Sequence, residues 1–274
     1  MFYLQKESEF RDEYKDIAFI IGSPDFLGAK TEDDNKINVL IICIAYKDMG
    51  TNYIEKNKKI LVRMKIDEKE MDYYKSILKR ESVVKLKVRY EKEQGEELAE
   101  FLLADIIDSN YEDEDLTPML KEYLEPIYYK DEVLGDFLYN RMLGSFDKEF
   151  DWVNNRKILI AFDDADEYYK ERAVNFIRNI FSDIEYWNKE IKEYSARSII
   201  NQGNKAASKR GENAVDEGEF VKEFANKIDL IEIIIHEREN YVNYRLGNKK
   251  VFPLDVIAEG DLTGKFTNAF VSQF

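Results

Sequence analysis

A chain of 274 residues with 44% hydrophobic side chains, 17 Phe and 18 Tyr holds material for two packed interiors, which excludes disorder as a reading of the whole. Its formal charge of −15 opposes nucleic-acid binding, because a binder needs a cationic surface to displace counterions from phosphate. One histidine and one cysteine leave little for imidazole, thiol or metal-cluster chemistry, the usual means of catalysis at neutral pH.

The amino terminus, Met1 to Glu7, lacks the basic-then-apolar order of a secretory signal. The longest nearly unbroken apolar stretch, Ile37 to Tyr46, is half of what a membrane-spanning helix needs. Cys43 sits inside it, between Ile42 and Ile44, and reads as a small core hydrophobe. With no second cysteine there is no intrachain disulfide, as suits a reducing compartment. These features predict a cytoplasmic protein without a membrane partner.

Two β-rich blocks follow one another. In the first, Ile17 to Ile21 and Ile37 to Tyr46 read as strands apolar on both faces. Ile60, Val62, Met64 and Ile66 alternate with Leu61, Arg63 and Lys65; Val84, Leu86, Val88 and Tyr90 alternate with Lys85, Lys87 and Arg89. That alternation is a half-buried, antiparallel signature. Asp67 and Glu70 stand at capping-box spacing before Met71, Tyr74 and Leu78, which predicts a helix between those two strands. Phe101 to Ile107 supplies a further strand. From Glu96 to Asp115 there are nine acidic residues and no basic one. The run Tyr111 to Asp115, with Thr117-Pro118 after it, reads as a solvated linker or loop before a short helix.

In the second block, Leu134 to Tyr139 reads as a strand, then Phe146, Phe150 and Trp152 lie on one face of another. Asn154-Asn155 is the turn signal of a hairpin leading to Ile158–Phe162. Asp163, Asp164, Asp166 and Glu167 form an acidic cluster without the ligand order, glycine or distal glutamate of a calcium loop. Asp164 or Asp166 is expected to cap the next helix, and no metal is assigned. Tyr169, Ala173, Phe176, Ile177, Ile180 and Phe181 make one helical stripe; Ile184, Trp187, Ile191 and Tyr194 make a second. Residues 201–217 are polar, glycine-bearing and locally basic, and read as a mobile surface loop. They lack the Gly-Lys-Ser/Thr of a phosphate loop. Phe220, Val221, Phe224 and Ile228 predict a short helix. Leu230–Ile235, Tyr241–Leu246 and Val251–Ala258 predict an antiparallel meander, with Pro253 marking an edge or a bulge.

The expected architecture is α+β with two β-rich domains. Residues 1–112 would form a small barrel or curled sheet with an inserted helix, and residues 113–130 a linker or short helix. Residues 131–274 would form an antiparallel sheet with packed helices. This second block resembles a bacterial family, domain of unknown function 2262. The likeness rests on Leu134-Gly135-Asp136-Phe137-Leu138-Tyr139-Asn140, on Phe146 through Trp152 with Asn155 to Phe162, on the helical pair around Trp187, and on Ile231 to Gly260. The resemblance implies an α+β domain and supplies neither a reaction nor catalytic residues. Related domains carry a polar, histidine-bearing element where this chain has Val251-Phe252-Pro253-Leu254-Asp255, so no role of that histidine transfers.

His236 follows the apolar run Ile233-Ile234-Ile235 beside Glu237-Arg238-Glu239 and reads as a solvated turn residue. The 56 carboxylates are too many for any pair to stand out as an acid and base. Tyr241 and Tyr244 are expected to pack across strands. The chain is therefore expected to be no enzyme and to use no cofactor. It would be a protein-binding or immunity-like factor whose acidic surface meets a protein partner and favours a basic one. Two alternatives stand beside this. One is a divalent-metal hydrolase using Asp163, Asp164 and Asp166; the other is a self-assembly module pairing through the edge of the terminal meander. Neither the partner nor the oligomeric state is legible.

Overall fold

The computed structural model describes residues 7–22, 27–30, 36–93, 95–248 and 252–272. The chain divides into two compact units, Met1–Glu125 and Pro126–Phe274. Among the described residues, no helix is long and apolar enough to cross a membrane.

The first unit is built from β1 (Phe10–Ile21), β2 (Leu27–Lys30), β3 (Lys36–Asp48), β4 (Ile54–Glu55), β5 (Lys59–Asp67), α1 (Met71–Ile77), β6 (Val83–Glu91), β7 (Leu98–Asp108) and α2 (Leu116–Tyr123). The sheet runs β1-β6-β7-β5-β3-β2, and β1 also pairs with β3, so five of its strands close on themselves as a small barrel. Closure removes the sheet edges that β1 and β3 would otherwise expose. The interior is aromatic: Phe101 stands with its ring 5.0 Å from those of Phe19 and Tyr46 and 4.8 Å from that of Tyr90. Cys43 is buried on β3, and burial alone pushes its thiol pKa up, which makes it a core atom and a poor nucleophile. The capping-box spacing is used: Glu70 accepts the backbone N–H of Asp67 at 3.0 Å.

Two expectations for this unit are corrected. The alternation of Ile60–Ile66 and Val84–Tyr90 reads as antiparallel, which holds for β6 with both neighbours and for β5 with β3, whereas β5 pairs parallel with β7, because β7 inserts between β5 and β6. The acidic run before α2 is not uniformly solvated. Asp113 is buried and receives Lys47 Nζ at 3.0 Å, while Asp115 lies 2.7 Å from the same ammonium. Asp113 also accepts the backbone N–H groups of Asp115 and Leu116, so one carboxylate starts the helix and ties it to β3. The segment expected as a linker or short helix thus contains α2, whose Leu116 is fully buried, within the first unit.

The second unit holds β8 (Tyr128–Asp131), β9 (Gly135–Asn140), β10 (Ser145–Trp152), β11 (Arg156–Asp163), α3 (Glu167–Ser182), α4 (Ile184–Lys209), α5 (Glu217–Lys227), β12 (Asp229–His236), β13 (Tyr241–Asn248), β14 (Phe252–Gly260) and β15 (Phe266–Val271). Its eight strands lie in the order β15-β14-β13-β12-β11-β10-β9-β8. All neighbours are antiparallel except β11 and β12, which pair parallel. The three helices between those two strands carry the chain back to the starting end of the sheet, as a parallel neighbour requires. Asn154 and Asn155 both have positive φ, 61° and 57°, the backbone of a tight β10–β11 hairpin.

Alternation sorts the sheet into two faces. Phe137, Phe146, Ile160, Phe162, Ile233, Ile235, Tyr244 and Val256 point inward and pack with Phe176, Ile177, Ile180, Trp187 and Ile191 of α3 and α4. Lys148 shares that face. Its ammonium donates to the Leu134 carbonyl and lies over the rings of Phe137 and Phe150, at 5.8 and 5.3 Å. Among the described residues of this unit, the buried side chains of its helices join this inner core, so none of its own helices layers the opposite sheet face.

The loop expected over 201–217 is corrected: α4 runs on to Lys209, and only residues 210–216 are irregular. Gly203 weakens the helix locally, but Gln202 donates to the Ala269 carbonyl at 2.7 Å, and the Asn204 amide bridges the backbone of Val215 at 2.8 and 2.9 Å. Tertiary anchoring overrides the polar, loop-like composition. Leu134 precedes its strand instead of opening it, and β8 adds an edge strand before it. Val251 lies outside the described residues. β14 is an inner strand, and Pro253 falls where its register with β13 slips between Leu246 and Asn248, the bulge alternative.

Candidate functional site

The helix-free face gathers the polar side chains that alternation turns away from the core. Along one row, the register sets Ser145, Asp163, His236 and Tyr241 side by side on β10, β11, β12 and β13. Asp163 and His236 end the two parallel strands, the end of such a pair where ligands commonly settle. His236 Nδ1 lies 3.0 Å from Asp163 Oδ2. That hydrogen bond is the main cause of a raised His236 pKa; partial burial opposes it, while Asp163, Glu239 and Glu237 add to it by charge. The Tyr241 ring stacks on the imidazole, centroids 5.9 Å apart, and its hydroxyl donates to Glu259 Oε1 at 2.5 Å. Burial first, and then Glu259, push the Tyr241 hydroxyl pKa up.

Glu237 adds a further acidic group close to Asp163 and His236. It is fully buried in the turn after His236, and among the described residues neither carboxylate oxygen has a hydrogen-bond partner of good geometry. Burial raises its pKa, and the nearby backbone N–H groups of Glu237 and Asp163 offset this only in part. Asn240, left-handed at φ 53°, closes the turn and accepts from Arg172 of α3 at 3.1 Å.

His236 was expected to be solvated. It is instead half-buried and hydrogen-bonded to Asp163, because the parallel pairing brings the ends of β11 and β12 together. The arrangement can exchange a proton or hold a cationic group. The row places the Ser145 hydroxyl opposite Asp163, so its order is hydroxyl, carboxylate, imidazole. A Ser-His-Asp triad needs the imidazole in the middle.

The other acidic residues are used separately. Asp166 takes the N-cap position of α3 with extended φ/ψ, and Asp164 lies 3.8 Å from Lys170. No group of three or more His, Cys, Asp or Glu among the described residues is arranged to hold a metal ion. Tyr241 and Tyr244 lie on opposite faces; Tyr244 is fully buried against Phe266, with ring centroids 5.4 Å apart.

Residues 131–270, just over half of the chain, match the family described as an uncharacterized protein conserved in bacteria, DUF2262. The chain belongs to this family. Residues 5–123 match a second family, described as a domain of unknown function, DUF7021. No curated protein and no solved structure matches the chain. The two matched spans follow the two compact units, and in this DUF2262 member the Asp163–His236 row lies within the matched region.

Glu237 and the Asp163 partnership were missed in the sequence. The available signal was the pair of apolar runs ending in a polar residue, Ile158 to Asp163 and Ile231 to His236. Only the crossover between them makes those ends adjacent.

Proposed function

We propose that this DUF2262 protein is a non-enzymatic binding factor that docks a basic protein on the helix-free face of its second sheet. The observation that carries the reading is the composition of that face. Asp147, Glu149 and Asp151 form a carboxylate edge along β10, and Glu232, Asp255 and Glu259 continue it across β12 and β14. The cations there are fewer: Lys157 is held by Asp151 at 2.7 Å, and Arg245 is shared by Glu232 and Asp255 at 2.8 and 3.2 Å. Between the charges run Leu138, Leu159, Ile234, Ile257 and Phe270, of which Leu138 and Phe270 are exposed. An apolar strip rimmed by one sign of charge suits a protein surface of the opposite sign. An immunity-like role against a basic toxin is one form of this function. A reducing cytoplasm fits the buried, unpaired Cys43.

The test is affinity capture from the native host at low salt, repeated with Asp147→Lys/Glu149→Lys/Asp151→Lys. A basic protein retained by the parent, released as salt rises and lost from the triple variant supports the proposal. Retention of nothing, or retention indifferent to the triple variant, overturns it.

A further inference from the structure

At the end of the second sheet away from His236, a cleft of about 910 Å³ opens between the β10–β11 hairpin, α4, α5 and the start of β12. Its lining carries five cations, Arg156, Lys189, Lys192, Arg197 and Lys222, against four carboxylates, Glu185, Glu193, Glu217 and Asp229, a small positive excess in a chain whose net charge is −15. Arg197 and Lys189 are matched by Glu193, at 2.6 and 3.9 Å. Around Asp229 two cations share one carboxylate. Lys192 and Arg156 converge on the single carboxylate of Asp229, at 3.9 and 2.6 Å, and the shorter contact belongs to Arg156. Lys192 is left with the Ala225 carbonyl at 3.4 Å, although its side chain is only 14% exposed. Burial lowers its pKa, Asp229 restores part of it and Arg156 lowers it further. Lys222, also lining the cleft, has no ion pair among the described residues. The largely buried Lys192 ammonium thus holds only the longer contact to a carboxylate shared by two cations, so a second anion would be favoured beside it.

The rest of the lining defines what that anion is attached to. Asn154, Asn188 and Asn226 present side-chain amides, and the Asn188 carbonyl oxygen is oriented by the Trp152 indole N–H at 2.9 Å. Val153, Val221 and Ala225 are the apolar residues of the lining, and none of its residues is aromatic. Amides match hydroxyl groups, whereas a nucleobase is held by stacking on rings. We propose that this cleft binds a small hydroxyl-rich oxyanion, a sugar phosphate or hydroxycarboxylate, with its anionic group on Lys192 and Arg156. This site is separate from the acidic face and stands or falls independently of the partner proposed there.

The experiment is NMR of the whole chain with its lysines ¹³C-dimethylated, titrated with glucose 6-phosphate, citrate, inorganic phosphate and AMP against sodium chloride of equal ionic strength. The Lys192 signal is expected to move with glucose 6-phosphate or citrate and to titrate at higher pH once either is bound. Whichever of these two binds identifies the source of the oxyanion, and AMP is expected to bind no better than phosphate. Lys192→Met should weaken binding by about tenfold or more, the equivalent of one charge-assisted contact. Lys222→Met, on an exposed side chain, serves where Lys192→Met fails to fold, and should weaken binding by a smaller factor. A Lys192 signal unmoved by glucose 6-phosphate and citrate, or moved equally by sodium chloride, overturns the proposal. So does tighter binding of AMP than of glucose 6-phosphate and citrate.

Discussion

Residues matter most where burial and charge collide, and in the second unit they do so around His236. Its pKa is raised chiefly by the hydrogen bond to Asp163, so its titration by NMR should have a midpoint above 6.5. In Asp163→Asn the midpoint should fall toward that ordinary value; an unchanged midpoint would mean the pairing is not what holds the proton. Glu237 presents the opposite problem, a buried carboxylate whose charge the neighbouring N–H groups and His236 offset only in part. Its folded pKa is raised, so the stability it contributes is present below its unfolded value of 4.5 and is lost as pH rises through the folded one. Glu237→Gln removes the charge and keeps the shape. It should stabilise the second unit by about 1–3 kcal/mol at neutral pH, a gain that thermal melts should show vanishing in acid. His236 acts in the same sense at higher pH, its contribution fading from 6.5 upward.

At the scale of elements, helix α4 is the informative case. Its 26 residues include the polar stretch that by composition resembles a loop. Gly203 lies inside it, and a Cβ there would have no heavy atom within 4 Å. Gly203→Ala should therefore raise stability by about 0.5–1 kcal/mol, measured by urea denaturation. Were this segment irregular in solution, the substitution would have no such effect. Gly264 behaves differently, since its φ is +86° and a Cβ would stand 2.6 Å from the Trp187 ring. The turn before β15 is thus fitted to an aromatic core residue of α4. Composition identified α3, α5 and most strands, because their apolar periods are clean. It failed at residues 201–209, where long-range contacts to Ala269 and Val215 carry the helix.

At the scale of the molecule, each of the two units holds a depressed carboxylate of its own. In the first, burial alone would raise the Asp113 pKa, but the N–H of Leu116, the Lys47 ammonium and the N–H of Asp115 together hold it below 3.8. In the second, Asp131 is likewise lowered: the N–H groups of Leu134 and Val133, with Arg178, overcome its burial. A depressed carboxylate contributes stability above its unfolded pKa and loses it as pH falls through the folded value. Asp113→Asn leaves Lys47 buried with only Asp115 as an anionic partner. It should destabilise the first unit at neutral pH and flatten its acid limb, with the second unit's transition unmoved in calorimetry. A single transition lowered as a whole would show instead that the units unfold together.

Taken alone, the order of residues was enough to establish an α+β chain of two β-rich blocks, the Asn154-Asn155 hairpin, the buried thiol of Cys43 and the excess of negative charge. Each of these is local: period, turn chemistry and composition act over a few residues or over the sum of all of them. Tertiary structure alone decided barrel closure, the parallel pairing of β11 with β12, the Lys47–Asp113 pair and the meeting of Asp163 with His236. Those depend on which strand lies beside which after a long crossover. The polar residues concerned carry no periodic mark, because a side chain that ends a strand looks the same in sequence whether it faces water or a partner 73 positions away.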